Sequence, residues 1–243
     1  MEVALLTLHQ FPYANGVQPS PPCGKVAAYL GFAGIPFEEN LSWDLKKAPK
    51  GKLPWIDDNG TVVADSWFIL RHLQNTYGHR LNGDLTPAQQ GLAHFIERTL
   101  DESLYFSATY SRWIDPEGFA IAGRLMFGAM PAAKGWILQR MLRRYVRKML
   151  YFQGIGRHND GEIYELAAAD FKALADVLGD KPFLLGDSPS TADATAYGHL
   201  AAIYKGPVST RMKGLMTGHD NLVAYTERMH EMIRQDSGPA GQA

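Results

Sequence analysis

Leu53-Pro54-Trp55-Ile56-Asp57-Asp58-Asn59-Gly60-Thr61-Val62-Val63-Ala64-Asp65-Ser66, residues 53–66, decide the fold. Asn59-Gly60 reaches positive φ at little cost, so it favours a tight hairpin between two short runs and predicts two antiparallel strands. Pro54 removes a ladder donor where a strand begins, the usual setting for a cis peptide. Asp65-Ser66 then opens an apolar-periodic segment over residues 67–77 that stops at Gly78, which predicts a helix.

Upstream, the pattern changes every ten residues or so. Residues 3–8 are a short apolar run suited to a buried strand, and four prolines between positions 12 and 22 keep the chain extended beyond it. Ser20 with Pro21 then starts a helix whose stripe is Val26, Ala27, Leu30 and Phe32, ending near Gly31 and Gly34. Ile35-Pro36-Phe37 opens a second extended segment, and residues 46–52 form a basic loop. Downstream of Leu85 strand signals vanish. Helix punctuation falls at Thr86-Pro87, Asp115-Pro116, Met130-Pro131, 154–161, 180–189 and Lys205-Gly206-Pro207. A mixed unit followed by a helical one predicts an α+β chain of two domains, residues 1–80 and 86–235, with a disordered tail over 236–243.

The 243 residues suffice for a sizeable core without disulfide or metal staples. Twenty-four basic against twenty-five acidic residues leave a net charge of −1 and no global attraction to nucleic acid. The charge is nonetheless uneven. Residues 118–159 carry eight basic residues and no acid, and Trp136, Ile137, Met141, Leu142, Tyr145, Met149 and Leu150 make an apolar helical stripe among them. The stripe is expected to be buried, with Arg140, Arg143, Arg144, Arg147 and Lys148 facing solvent or an anionic partner. Membrane association is possible but not favoured. The single Cys23 excludes an intrachain disulfide, the N-terminus has no signal-peptide form, and no apolar run approaches about 18 residues. A cytoplasmic, unprocessed chain is expected.

Ser20 and Cys23 stand at the start of the first helix, where the dipole favours an anion and can lower a thiol pKa. Plain capping of the Cys23 amide by the Ser20 oxygen accounts for the same residues. His9 and Tyr13 lie at the end of the first strand, where a side chain can overhang a site. An ordinary loop tyrosine fits equally well. A cis bond before Pro54 would turn the Leu53 peptide outward for strand-like pairing with an extended ligand. Asp65 and Ser66 offer a carboxylate, a hydroxyl and helix-start amides to a ligand carrying both ammonium and carboxylate. Ser190 and Asp193 form a capping box and read as structural. The eight histidines lack metal-ligand spacing, His199 reads as a satisfied core residue, and Gly154-Ile155-Gly156 fails as a nucleotide fingerprint.

In this order, S-x-x-C at the first helix, Leu53-Pro54, Asp65-Ser66 and the Ser190 to Asp193 box resemble the glutathione S-transferase superfamily. The match spans nearly the whole chain. Leu8-His9-Gln10-Phe11-Pro12, S-P-x-C-x-K through Lys25, and Gln153-Gly154-Ile155-Gly156-Arg157-His158 are similar to its failed axon connections and metaxin-like branch. The resemblance implies a thioredoxin-like βαβαββα domain followed by an all-α bundle. It further implies glutathione as co-substrate, held by Asp65 and Ser66 at its γ-glutamyl end and by the Leu53 backbone beside a cis Pro54.

By the same resemblance, Ser20 falls at the position of the activating hydroxyl or thiol, and Cys23 at a second, usually non-catalytic, cysteine position. The long proline-rich loop departs from the family's compact one, so either Ser20 or Tyr13 could face the sulfur. Tyr105, Tyr110 and Trp113, at the start of the helical half, would line an acceptor pocket or pack in the core. The expected function is conjugation of glutathione to small hydrophobic electrophiles by a homodimer, without a metal. A non-catalytic adaptor is the competing expectation.

Overall fold

The computed structural model describes residues 6–208 and 210–236. The hairpin forms as its sequence requires. β3 (Trp55–Asp58) and β4 (Thr61–Ala64) pair antiparallel, and the turn places Asn59 at φ 54° and Gly60 at φ 86°. β1 (Leu6–Gln10) runs parallel to β2 (Phe37–Leu41) and antiparallel to β3, giving one sheet of order β2-β1-β3-β4. Residues 3–5 of the expected first strand and 237–243 of the tail lie outside the described residues. Asp236 belongs to the last helix.

α1 (Pro21–Phe32) and α2 (Ser66–Tyr77) pack on this sheet through Val26, Leu30, Ile69 and Leu73, all fully buried against Leu6, Leu8 and Ile56. Between β2 and β3, where the thioredoxin-like pattern places a helix, there is one 3₁₀ turn, Leu45–Lys47. Pro49 and Gly51 follow at once, and Gly51 sits at φ 64°, so the turn cannot lengthen.

The remainder is helical. α3 (Pro87–Thr99) and α4 (Tyr105–Trp113) are joined without a break by a π-helical turn, Leu100–Leu104. α5 (Pro116–Phe127), α6 (Ala132–Gln153), α7 (Asp160–Leu178), α8 (Thr191–Tyr204), α9 (Arg211–Thr217) and α10 (Asp220–Asp236) follow. The chain is thus a thioredoxin-like domain followed by a helical one.

α8 is Ala-rich and buried on every side from Thr191 to Ile203, as a central helix should be. It lies against α1 with almost no separation. A Cβ added to Gly198 would sit 2.5 Å from the Pro21 carbonyl oxygen and 2.6 Å from the Lys25 nitrogen. Its capping region is a buried polar knot. Asp193 accepts from the Ser190 N–H (2.8 Å), the Ser190 hydroxyl (2.6 Å), the Leu184 N–H (2.9 Å) and the Tyr225 hydroxyl (2.8 Å).

The expected burial of the stripe on α6 holds at Leu150 and in part at Leu142 and Met149, and is overturned for its other four residues. Its inward face is Gly135, Val146 and Leu150, with Leu142 and Met149 half-buried, whereas Trp136, Ile137, Met141 and Tyr145 face solvent. Apolar and basic positions interleave around the outer half of the helix, so periodicity alone could not say which side the bundle covers. Arg143 turns inward instead. Its Nη2 donates to the Ile114 carbonyl at 2.7 Å, and its guanidinium lies 4.6 Å over the Phe119 ring. No helix among the described residues is long and apolar enough to cross a membrane.

Candidate functional site

Strand register brings the sequence-predicted ligand residues together. His9 of β1 is opposite Trp55 of β3, which is opposite Ala64 of β4, and the first two rings stack at 3.4 Å. The end of β1, the entry to β3 and the exit from β4 therefore share one edge of the sheet. Leu53-Pro54 immediately precedes β3 and is cis. Among the described residues neither peptide group of Leu53 has a hydrogen-bond partner. Asp65-Ser66 immediately follows β4. α1 and α2 both begin at this edge, so two helix N-termini supply N–H groups and positive potential there.

Asp65 has φ 85° and ψ 126°, outside the regions open to a side-chain-bearing residue at low cost. Its exposed carboxylate accepts from the Trp67 N–H at 3.1 Å. Such backbone strain of roughly 1–3 kcal/mol persists where surrounding structure holds it, commonly at ligand clamps.

Ser20 has the extended backbone of an N-cap, φ −103° and ψ 114°, ahead of Pro21. Its hydroxyl nevertheless makes no cap hydrogen bond to the helix backbone, which corrects the expected bond to the Cys23 amide. It hydrogen-bonds the Cys23 thiol instead. Cys23 is fully buried. Burial pushes its thiol up to about 11, against the opposing effect of Ser20 and the Phe11 backbone. Burial thus opposes thiolate formation at Cys23 at neutral pH.

Tyr13 is occupied elsewhere. Its hydroxyl donates to Glu39 Oε1 at 2.5 Å, and the fully buried Gln10 donates to the same oxygen at 2.5 Å. Burial of the hydroxyl end and the Glu39 carboxylate raise the Tyr13 pKa well above the ordinary phenol value.

The helical half meets this edge through α4. Arg112 Nη1 donates to the Pro19 carbonyl at 2.7 Å, one residue before Ser20. Tyr105 packs edge-on to His199, 6.2 Å between centroids; burial raises its pKa, and the nearby Arg112 charge opposes that rise. Tyr110 points elsewhere, toward Tyr164 (6.5 Å) and Asp160. Trp113 is half-buried at the last residue of α4. Of the three aromatic residues expected in an acceptor pocket, Tyr105 is the one brought beside the start of α1.

Beneath that start, Lys25 Nζ lies 2.7 Å from Asp101 Oδ2, and His199 Nε2 lies 3.1 Å from Asp101 Oδ1. Burial pushes the Asp101 carboxyl up, but the hydrogen bonds and charges of His199 and Lys25 outweigh it and hold the pKa at about 2. Among the described residues His199 Nδ1 is buried without a hydrogen-bond partner, so there this histidine is only half satisfied, contrary to expectation. Sequence reasoning missed Arg112 and Asp101. Lys25 was visible in S-P-x-C-x-K, but nothing local identified its partner.

Two family models match, a glutathione S-transferase N-terminal domain over residues 21–118 and a glutathione S-transferase C-terminal domain over residues 167–229. An isoprene-epoxide glutathione S-transferase of Rhodococcus sp. is 34% identical over 93% of this chain and 98% of its own. This chain belongs to the glutathione S-transferase superfamily. Failed axon connections of Drosophila melanogaster is 28% identical over 89% of this chain, which spans 55% of that protein. Bovine metaxin-1 is 26% identical over 82%, with 66% of it spanned. Among solved structures, a beta-etherase from Sphingobium sp. superposes with a TM-score of 0.64 at 18% identity, covering 96% of this chain and 98% of the other. This transferase-family chain thus has the superfamily's fold, and residues 119–166 lie between its two matched stretches.

Proposed function

We propose that this chain binds glutathione across the edge of its sheet and transfers the thiolate sulfur to a small hydrophobic electrophile. The observation that carries the proposal is the meeting at one edge of a strained Asp65, a Leu53 peptide unpaired among the described residues and the Ser20 hydroxyl. Asp65 takes the ammonium of the γ-glutamyl end. Ser66 and the amides of α2 take its carboxylate. The Leu53 N–H and C=O pair with the cysteinyl backbone as an added strand would, beside the cis Pro54.

Ser20 donates to the glutathione sulfur. With the positive end of α1, that hydrogen bond lowers a thiol pKa of ordinarily about 8.5 and raises the thiolate fraction at neutral pH. An epoxide suits the acceptor role, in line with the name of the Rhodococcus relative. The sulfur attacks a ring carbon, the C–O bond breaks, and the alkoxide takes a proton from water. Tyr105, Tyr110 and Trp113 serve as the acceptor-side residues from the helical half. A homodimer in a reducing cytoplasm, with domains meeting at residues 79–85, completes the reading. No metal takes part in it.

Calorimetric titration with glutathione, followed by turnover of an aryl halide and a small epoxide, tests it. Binding and conjugation are expected. Removing Asp65 leaves a bound ammonium unpaired, so Asp65→Ala should weaken binding by about 1.5–3 kcal/mol. Absence of glutathione binding in the parent chain overturns the reading in favour of a non-catalytic adaptor.

A further inference from the structure

Residues 118–159 hold eight basic and no acidic residues, and the rest of the chain holds sixteen basic and twenty-five acidic ones. The molecule is therefore strongly polarised. Most of that stretch lies in the span covered by neither family model. α6 runs through it for 22 residues, about 33 Å at 1.5 Å per residue.

The outer half of α6 is both cationic and apolar. Met141, Tyr145 and Phe152 are 63%, 62% and 68% exposed. Trp136 and Ile137 stand out beside them at 59% and 51%, and Leu125 of the neighbouring α5 at 58%. Among the described residues, Arg140, Arg144, Arg147 and Lys148 have no carboxylate partner. Two of these cations lie over rings of the same face, Arg140 at 4.8 Å from the Trp136 centroid and Lys148 at 5.8 Å from Phe152. Large side chains left in water at this density mark an interaction surface.

We propose that the outer face of α6 docks on an anionic lipid surface, holding the protein peripherally with the helix in the headgroup layer. Charge and shape select this occupant. A second copy paired about a two-fold axis would set this face against itself and bring two acid-free cationic helices together. A nucleic acid would satisfy the cations but leave Ile137 and Met141 against water. An anionic bilayer satisfies both sets. Phosphate and carboxylate groups meet the arginines, whose long stems extend toward them, while Trp136, Ile137, Met141 and Phe152 enter the acyl boundary.

The test is cosedimentation of the full chain with vesicles of phosphatidylcholine alone and with about one-third phosphatidylserine, at low and physiological salt. The parent is expected to pellet with the anionic vesicles only, and less at higher salt. Each basic residue near such a surface is worth about fivefold, so Arg140→Gln/Arg144→Gln should lower partitioning about 25-fold. Ile137→Ser/Met141→Ser should abolish the portion that survives physiological salt. Unchanged thermal midpoints establish that both variants fold. Equal pelleting with neutral vesicles, pelleting with neither, or indifference to the arginine pair overturns the proposal. With vesicles ignored, a dimer lost in the serine variant would make a second copy the occupant. Likewise, RNA binding indifferent to the serine pair would make it nucleic acid.

Discussion

The Lys25 ammonium, wholly buried in α1, lies 2.7 Å from the Asp101 carboxylate on the π-helical turn between α3 and α4. The pair pins the start of the thioredoxin-like half to the helical half across 76 positions of sequence. A buried ion pair adds little net stability, but removing one partner strands the other and costs about 3–5 kcal/mol. Asp101→Asn should therefore destabilise by about that amount in urea denaturation, and Lys25→Met/Asp101→Leu should recover much of the loss. Full additivity of the single variants would show that the two residues act separately.

The same group sets an acid limb of stability. The Asp101 pKa is lowered from 3.8 to about 2, so its contribution is complete above about pH 4 and is lost as pH falls from about 4 to about 2. Comparing the parent with Asp101→Asn across that window should show the difference in unfolding free energy shrinking with acid. A difference independent of pH there would mean that the carboxylate charge is not what holds Lys25.

Asp193 is fully buried and accepts four hydrogen bonds, from Ser190 twice, Leu184 and Tyr225. Asp193→Ala orphans all of these donors in a water-poor site. A loss of about 3–5 kcal/mol is expected, seen as a drop of roughly 10 °C in thermal midpoint. Since the knot is remote from the sheet edge, glutathione affinity of the folded fraction should be unchanged. A shift below about 3 °C would mean that the box is not what fixes the start of α8.

What the sequence made legible was local. Asn59-Gly60 declares a hairpin because two residues determine the backbone there, and Ser190 with Asp193 declares a helix start within four positions. Each helix punctuation mark falls at an observed boundary for the same reason. Contacts across the chain leave no such trace. Lys25 and Asp101, Arg112 and Pro19, and Gly24 and Gly198 are separated by 76, 93 and 174 positions. On α6 the pattern was visible but its orientation was not, since large apolar residues occur on both the covered and the open side. At Ser20 the local capping rule lost to a buried thiol within reach.

Gly198 and Gly24 set the separation of α8 and α1 unequally. A Cβ on Gly198 meets backbone at 2.5 and 2.6 Å, and no rotamer change can relieve it. On Gly24 it meets the Gly198 Cα at 3.1 Å, a contact that a few tenths of an ångström would relax. Gly198→Ala should therefore cost about 3 kcal/mol or more and Gly24→Ala distinctly less, partly offset by the better helix propensity of alanine. Equal costs in chemical denaturation would contradict this ordering.

The last prediction separates the two candidate hydroxyls. Tyr13 donates to Glu39, and its raised pKa opposes a tyrosinate role, whereas Ser20 has no backbone cap bond to give up. The Ser20 hydroxyl lies beside the Cys23 sulfur and lowers its pKa. Because that thiol, at about 11, still stays protonated, its S–H can become the donor to the Ser20 oxygen once the Ser20 hydrogen turns to the glutathione sulfur. Ser20→Ala should lower kcat/KM by about 10²- to 10³-fold, the usual cost of one donor at a developing or held anion. It should also raise the pKa of bound glutathione, read from thiolate absorbance against pH. Cys23→Ser, which retains a donor, should keep most of the activity, and Cys23→Ala should lose a smaller factor than Ser20→Ala. Tyr13→Phe should be nearly silent. If Tyr13→Phe abolishes turnover and raises the bound thiol pKa while Ser20→Ala does neither, the activating hydroxyl is the tyrosine.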